Sequence, residues 1–330
     1  MALLSVLDLS PVTGDATQAQ AVRESIEVAK AAERCGYHRF WVAEHHNIGG
    51  LGSPAPEILI AALTQATSRI RLGSGGVMLV NYSPLKVAEV FMELEALAPG
   101  RIDLGVGRAL GTDPRTAGAL RSSGSEAFEH YFALLAAWLL DATGKAPIGP
   151  EHPAHDIRAN PSGPSHPQLF MLCSSAESAA WAGASGVGMV FAEFIARADG
   201  GPAVAAYRAA FRPGPFLDAP WAGVATAALA ADTAEEARRL DAPRRASQLA
   251  TSMGRRQRFR TVEAAEAFLA EHAGSPALAA IEARSLAGAP GFVRARLEEK
   301  AAQTGADEVF VMATGPSLAT RIRSLELIKG

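Results

Sequence analysis

Eight short apolar runs, each followed by a stretch of helical spacing, recur along the 330 residues. They fall at 3–9, 38–44, 70–79, 102–108, 168–174, 187–192, 223–230 and 308–313. Between them, apolar positions return every three or four residues, as at Val22, Ile26 and Ala29 or Phe128, Phe132 and Leu135. The punctuation agrees with that alternation. Ser83-Pro84 places an N-cap before a first-turn proline, and Thr233 with Glu236 reads as a capping box. Gly36, Gly100, Gly186 and Gly305 stand where helices end before the next strand. Each helix carries the chain back to the same edge, so the strands must run parallel with right-handed crossovers. Such strands open into a doubly wound sheet or close into a ring. A count of eight selects the ring, an α/β fold of the TIM (β/α)8 barrel type occupying 1–330 as a single domain.

Two segments interrupt the rhythm. The Pro/Gly/Ser-rich stretch 146–167 is expected to be an irregular excursion before strand five. Residues 238–260 carry eight arginines and few large apolar residues, with no clear amphipathic face. They read either as a solvated insertion after strand seven or as a mobile lid whose arginines meet an anionic ligand.

Bulk properties exclude several classes of function. A net charge of −3 and a pI near 6.3 give no electrostatic reason to expect nucleic acid or anionic lipid. No apolar run approaches the roughly 20 residues of a membrane span. The apolar stretch 2–7 lacks a basic flank and is cut by Asp8, so it reads as a strand rather than a signal peptide. Two cysteines, Cys35 and Cys173, fit a reducing, cytoplasmic setting.

The chemistry-bearing residues gather at strand ends. Strand two runs through Trp41 and Val42 into Glu44-His45-His46. Side chains alternate along a strand, so the two histidines face different ways and make a poor metal pair. No zinc-type spacing occurs elsewhere, and no metal is expected. One histidine facing the barrel mouth suits general acid–base chemistry, and a hydrogen-bonded buttress suits it equally. Strand three contains Gly73-Ser74-Gly75-Gly76, where glycines mark either a flat ring approaching the backbone or local crowding. Strand four ends in Arg108, placed for a bidentate phosphate contact. Strand five ends in Ser174 and Ser175, with Ser178 one turn further, which reads as helix capping or as a phosphate seat. Two such sites at one end of a parallel sheet point to one shared phosphorylated ligand.

These segments resemble the bacterial luciferase-like flavin monooxygenases. The likeness is carried by Leu4 to Pro11, Trp41 to His46, Gly73 to Leu79, Pro99 to Arg108 with Gly111-Thr112-Asp113, and Thr304 to Asp307. It implies a TIM barrel that takes reduced FMN from a separate flavin reductase. Dioxygen then forms a flavin C4a-peroxide that oxygenates a small organic substrate. By position, His45 matches the catalytic histidine, and Gly75-Gly76 matches a peptide, often cis, beneath the flavin ring. Met78 and Leu110 stand beside that ring, while Arg108, Ser174, Ser175 and Ser178 match the phosphate group's partners. Asp8, Glu44, Tyr82 and Phe194 are expected around the substrate. The resemblance also implies a homodimer, for which helical stretches 56–67 and 84–97 offer apolar faces, and it fits tailoring work such as antibiotic biosynthesis. The sequence departs from its relatives at Val80 and Tyr82 (commonly Pro and His), Leu110 (often Pro), Phe194 (commonly His) and Leu286 to Pro290. These departures bear on substrate more than on flavin. Two other readings stay open: hydride transfer with the deazaflavin F420, and a flavin-binding protein without catalysis.

Overall fold

In a computed structural model, the described residues are 2–152, 154–255 and 257–330. The strands are β1 (Leu3–Asp8), β2 (Arg39–Val42), β3 (Arg71–Met78), β4 (Ile102–Gly107), β5 (Gln168–Cys173), β6 (Gly188–Ala192), β7 (Ala222–Ala230), β8 (Leu286–Gly288) and β9 (Glu308–Ala313). All their pairings are parallel. β1 to β7 pair in chain order, and β9 pairs with both β7 and β1, which closes an eight-membered ring. β8 lies outside that ring, paired with Ala228–Ala230 at the end of β7. The eight staves match the sequence expectation; the three-residue β8 was not foreseen, being too short for periodicity to show.

Alternation sorts the side chains. Leu7, Trp41, Phe170, Val190, Ala225 and Phe310 fill the ring, while Val6, Phe40, Val42 and Leu72 pack outward against the helices. Trp41 dominates the interior, its ring centroid 5.1 Å from that of Phe170 and 4.5 Å from that of Phe310. Its bulk explains part of the glycine run. A Cβ on Gly73 would lie 2.7 Å from Trp41 Nε1 and 2.6 Å from the Asp103 carbonyl oxygen.

Buried charges close the far end of the ring. Arg39 reaches Asp103 at 2.7 Å and Glu308 at 3.2 Å, Arg71 reaches Asp103 at 2.6 Å, and His38 lies 3.1 Å from Glu308. Burial works to raise the Glu308 carboxyl, yet His38, Arg39 and Ser5 hold it below its ordinary value.

Helix signals held in part. Gly36 and Gly305 take φ of +74° and +68°, the left-handed conformation their placement demanded. Thr233 accepts from the Glu236 N–H at 3.1 Å, but no reciprocal bond completes the expected box. Full boxes occur instead at Thr17/Gln20 and Ser175/Ser178. The described residues between Ala142 and Gln168 contain neither helix nor strand, as expected, although Ile148, Ala154 and Ala159 are buried.

The arginine-rich insertion follows β7 as expected, but it has an apolar face that its spacing did not reveal. It belongs to four helices between β7 and β8: Ala234–Leu240, Ala242–Ser252, Val262–Glu271 and Pro276–Ala283. The second does have an apolar face, built from Ala242, Ala246, Leu249 and Ala250, which packs with Ala265, Phe268 and Ile281. Alanine supplies that face, which is why large-residue spacing hid it. The arginines are largely paired within the module: Arg238 and Arg245 to Glu282, Arg239 to Glu263, Arg244 to Asp241. Arg258, by contrast, spans to the loops after β1 and β2, donating to the carbonyl oxygens of Val12 and, at 3.1 Å, Gly49.

Candidate functional site

β2 and β3 deliver the most connected group at the carboxyl end of the ring. Past Val42 the ladder continues, with the Glu44 N–H donating to the Gly76 carbonyl at 3.3 Å. Alternation then turns His45 to the same side as Trp41 and Glu44 to the opposite side. Glu44 is fully buried and accepts from the Met78 N–H (2.9 Å), His46 Nε2 (2.8 Å), Asn81 Nδ2 (3.1 Å) and the Tyr82 hydroxyl (3.1 Å). Burial pushes this carboxyl up against the pull of those donors, and burial with the adjacent Glu44 pushes the Tyr82 phenol up. Glu44 and Tyr82 therefore brace the β2 and β3 ends, with His46 of the histidine pair and Asn81, which the sequence did not single out, as partners.

His45 is left with chemical freedom. Its Nδ1 is buried and has no hydrogen-bond partner among the described residues. Burial, then the neighbouring His46, lowers its pKa below the ordinary value of 6.5, so the imidazole is neutral at neutral pH. The loop holding it is latched to the loop after β4. The His46 N–H donates to the Gly111 carbonyl at 3.3 Å, Thr112 Oγ1 donates to the His46 carbonyl at 2.8 Å, and Asn47 Nδ2 donates to Asp113 at 3.3 Å. Gly111-Thr112-Asp113 thus works as a clasp.

At the end of β3 the Gly75–Gly76 peptide is cis. A Cβ on Gly76 would lie 2.7 Å from the Gly105 carbonyl oxygen, and one on Gly75 would lie 2.7 Å from Leu7 Cδ1. Met78 packs between Gly107 and Gly111, and Leu110 supplies a carbonyl to Asn81 at 3.2 Å. Register aligns Met78 of β3 with Gly107 of β4 and Leu172 of β5. Arg108 and Cys173 follow directly in the chain. Arg108 is exposed and makes no ion pair or hydrogen bond among the described residues. Burial pushes the Cys173 thiol up to about 12, opposed by Ser178 and by the Arg108 charge.

Ser175 caps the helix Ala176–Ala184, accepting from the Ser178 N–H at 3.2 Å, while Ser178 Oγ returns to Ser175. Both hydroxyls are engaged in capping, and Ser174 stands exposed before them. Arg108, Ser174, Ser175 and Ser178 are therefore brought together at one edge of the mouth, level with Gly76 and Met78. Asp8 is not: it shares the outward side with Val6 and pairs with Arg321 at 2.8 Å on the helix Leu318–Lys329. Phe194, after β6, packs onto the ring's interior cluster with Leu9 and Leu172, forming an apolar floor beneath the mouth. Two cavities, of about 390 and 510 Å³, lie instead against the insertion helices. The chemistry is placed at the strand ends because the neutral imidazole, the free cation and the helix start converge there.

A closed parallel ring with titratable groups at its carboxyl end has the architecture of a (β/α)8-barrel enzyme, and its family makes it an oxidoreductase of the monooxygenase class. The chain belongs to the luciferase-like monooxygenase family, whose model matches residues 3–308. It is 38% identical to the uncharacterised protein YvbT of Bacillus subtilis (strain 168), over 99% of this chain and 95% of that one. It is 38% identical to the N-acetyl-S-alkylcysteine monooxygenase of the same bacterium, over 82% of this chain and 80% of that one. The crystal structure of apo-MsnO8 superposes with a TM-score of 0.88 at 36% identity, covering 100% of this chain and 98% of that one.

Proposed function

We propose that the protein is an FMN-dependent, two-component monooxygenase. A separate flavin reductase would supply reduced FMN, and a small organic compound would be oxygenated with O2. The observation that carries this is an unpaired Arg108 beside a serine-capped helix start, on the same rim as Gly75–Gly76 and a neutral His45.

The residues fit such a cofactor. Arg108 offers a forked donor to a phosphate, and the first turn of Ala176–Ala184 adds the partial positive charge of a helix start. Gly75 and Gly76 are packed by Leu7, Trp41 and Gly105, and a flat ring would rest against the β3 backbone they shape, flanked by Met78 and Leu110. Reduced flavin supplies the two electrons with which dioxygen gives one atom to the substrate and leaves the other as water. His45, neutral and with its Nδ1 unpartnered, would take or hold a proton during turnover. Leu9, Leu172 and Phe194 keep the floor dry, which protects a reactive oxygen species from water. Free Cys35 and Cys173 support a cytoplasmic setting. Exposed Ile58 and Leu97, on the helices Pro56–Ala66 and Pro84–Leu97, support a homodimer.

Titrating FMN and riboflavin into the wild type and Arg108→Ala tests the assignment. Loss of one charge-assisted contact to phosphate should weaken FMN about 10- to 100-fold and leave riboflavin unchanged. Equal FMN affinity in both proteins would remove Arg108 from the phosphate site. Tighter binding of F420 than of FMN by the wild type would replace the monooxygenase reading with hydride transfer.

A further inference from the structure

The cavity of about 390 Å³ is not part of the strand-end site, yet it reaches it. It runs beneath the insertion helices and along the flank of the helix Pro290–Thr304. Its inner end is apolar, with Phe194, Ala227, Ile281 and Leu286 in the wall. Ala227 shares the inward register of Ala225, and Phe194 packs on the ring's interior cluster, so this end abuts the mouth.

The outer end is cationic. Arg197 and Arg284 are exposed in the wall, and neither joins an ion pair among the described residues. Arg284 Nη1 donates to the Arg197 carbonyl at 2.9 Å, which fixes the two residues as neighbours. The wall's acids are engaged. Glu193 takes Lys300 at 2.8 Å and the Gly200 N–H at 3.0 Å, Glu299 takes Arg296, and Asp199 accepts the Gly201 N–H at 2.8 Å. In all, five basic side chains face three acidic ones.

We propose that this lateral cleft binds a small amphipathic carboxylate. The carboxylate rests on Arg197 and Arg284, and the apolar tail points past Ala227 and Phe194 into the barrel mouth. The volume lies in the range of small-molecule sites, which pair an apolar wall with a few polar anchors. The organic substrate thereby enters from the β6–β7 side, while the Arg108 edge at β4–β5 remains free for the cofactor. Only this last statement rests on the monooxygenase reading; binding in the cleft needs no flavin.

Octanoate and octan-1-ol are suitable probes, titrated calorimetrically into the flavin-free protein. Octanoate should bind saturably at one site per chain and more tightly than the alcohol. The double variant Arg197→Gln/Arg284→Gln should weaken octanoate at least about tenfold and leave octan-1-ol unchanged. Ala227→Trp, which fills the inner end, should weaken both. Equal affinity for acid and alcohol, or an unchanged octanoate affinity in the double variant, overturns the proposal. FMN titrations run alongside report on the cofactor reading alone, so a failure there leaves the octanoate result standing.

Discussion

Glu44→Ala removes an acceptor that serves four donors at once. The Met78 N–H, at 2.9 Å, is buried, and leaving it unpaired costs about 1–3 kcal/mol. Asn81 keeps the Leu110 carbonyl at 3.2 Å. Tyr82 and His46 are half-buried and recover part of their loss from water, at about 0.5–1 kcal/mol each. Deleting the buried methylenes adds about 1 kcal/mol, for a total of about 3–6 kcal/mol. In a chain of this size that lowers the melting temperature by roughly 4–9 °C. Glu44→Gln keeps one acceptor oxygen and should cost less than half as much. The pair also reports on charge. Glu44 binds its proton more tightly when folded, so its stabilising contribution is complete below its ordinary value of 4.5 and fades as pH rises through the folded value. Denaturant melts at several pH values should therefore show the wild type losing ground to Glu44→Gln as pH rises from 4.5. An alanine variant within 1 °C of the wild type, or a difference that grows with pH in the wild type's favour, would refute this account.

Other consequences follow from single contacts. An NMR titration of His45 should give a midpoint below 6.5, because burial disfavours the imidazolium; a midpoint at or above that value refutes it. By the same sign, stability should fall as pH drops through 6.5, and His45→Asn should flatten that fall. Gly73→Ala sets a Cβ against the Asp103 backbone at 2.6 Å, whereas Gly75→Ala meets the flexible end of Leu7 at 2.7 Å and the Trp41 ring at 3.3 Å. The first should destabilise by about 3 kcal/mol or more and the second by less, as paired denaturant curves would show. Arg258→Ala should speed hydrogen exchange of the Val12 and Gly49 loops severalfold; identical exchange would show that the strap holds nothing.

The ring was legible because its strands are continuous apolar runs whose inward and outward sides are both buried. The rim was legible as positions, through Glu44-His45-His46 and Arg108, but not as partnerships. Nothing in one sequence says that Glu44 turns away from the mouth to gather Met78, Asn81 and Tyr82, since that depends on the register between β2 and β3. Asp8 shows the same limit, as a one-residue parity places it on Arg321 rather than among the rim residues. Several residues in family-like segments are structural anchors. Asp103 joins the charged plug, and Asp307 ties Arg208 to the start of β7. The apolar face of the insertion was missed because it is built on alanines, which carry little hydrophobic signal yet pack closely. Ser175 and Ser178 remain double in meaning: capping is realised in their bonds, and capping is also what aims a helix start outward.

The short β8 has a consequence for how such enzymes diversify. Chain departure after β7 and chain return at β8 are hydrogen-bonded neighbours, with the Ala231 N–H on the Gly288 carbonyl at 3.2 Å. Everything threaded between them is a cassette with its own small core, plugged into a socket that the eight staves do not need. Exchanging that cassette would reshape the cleft it walls while leaving the strand ends of the ring untouched.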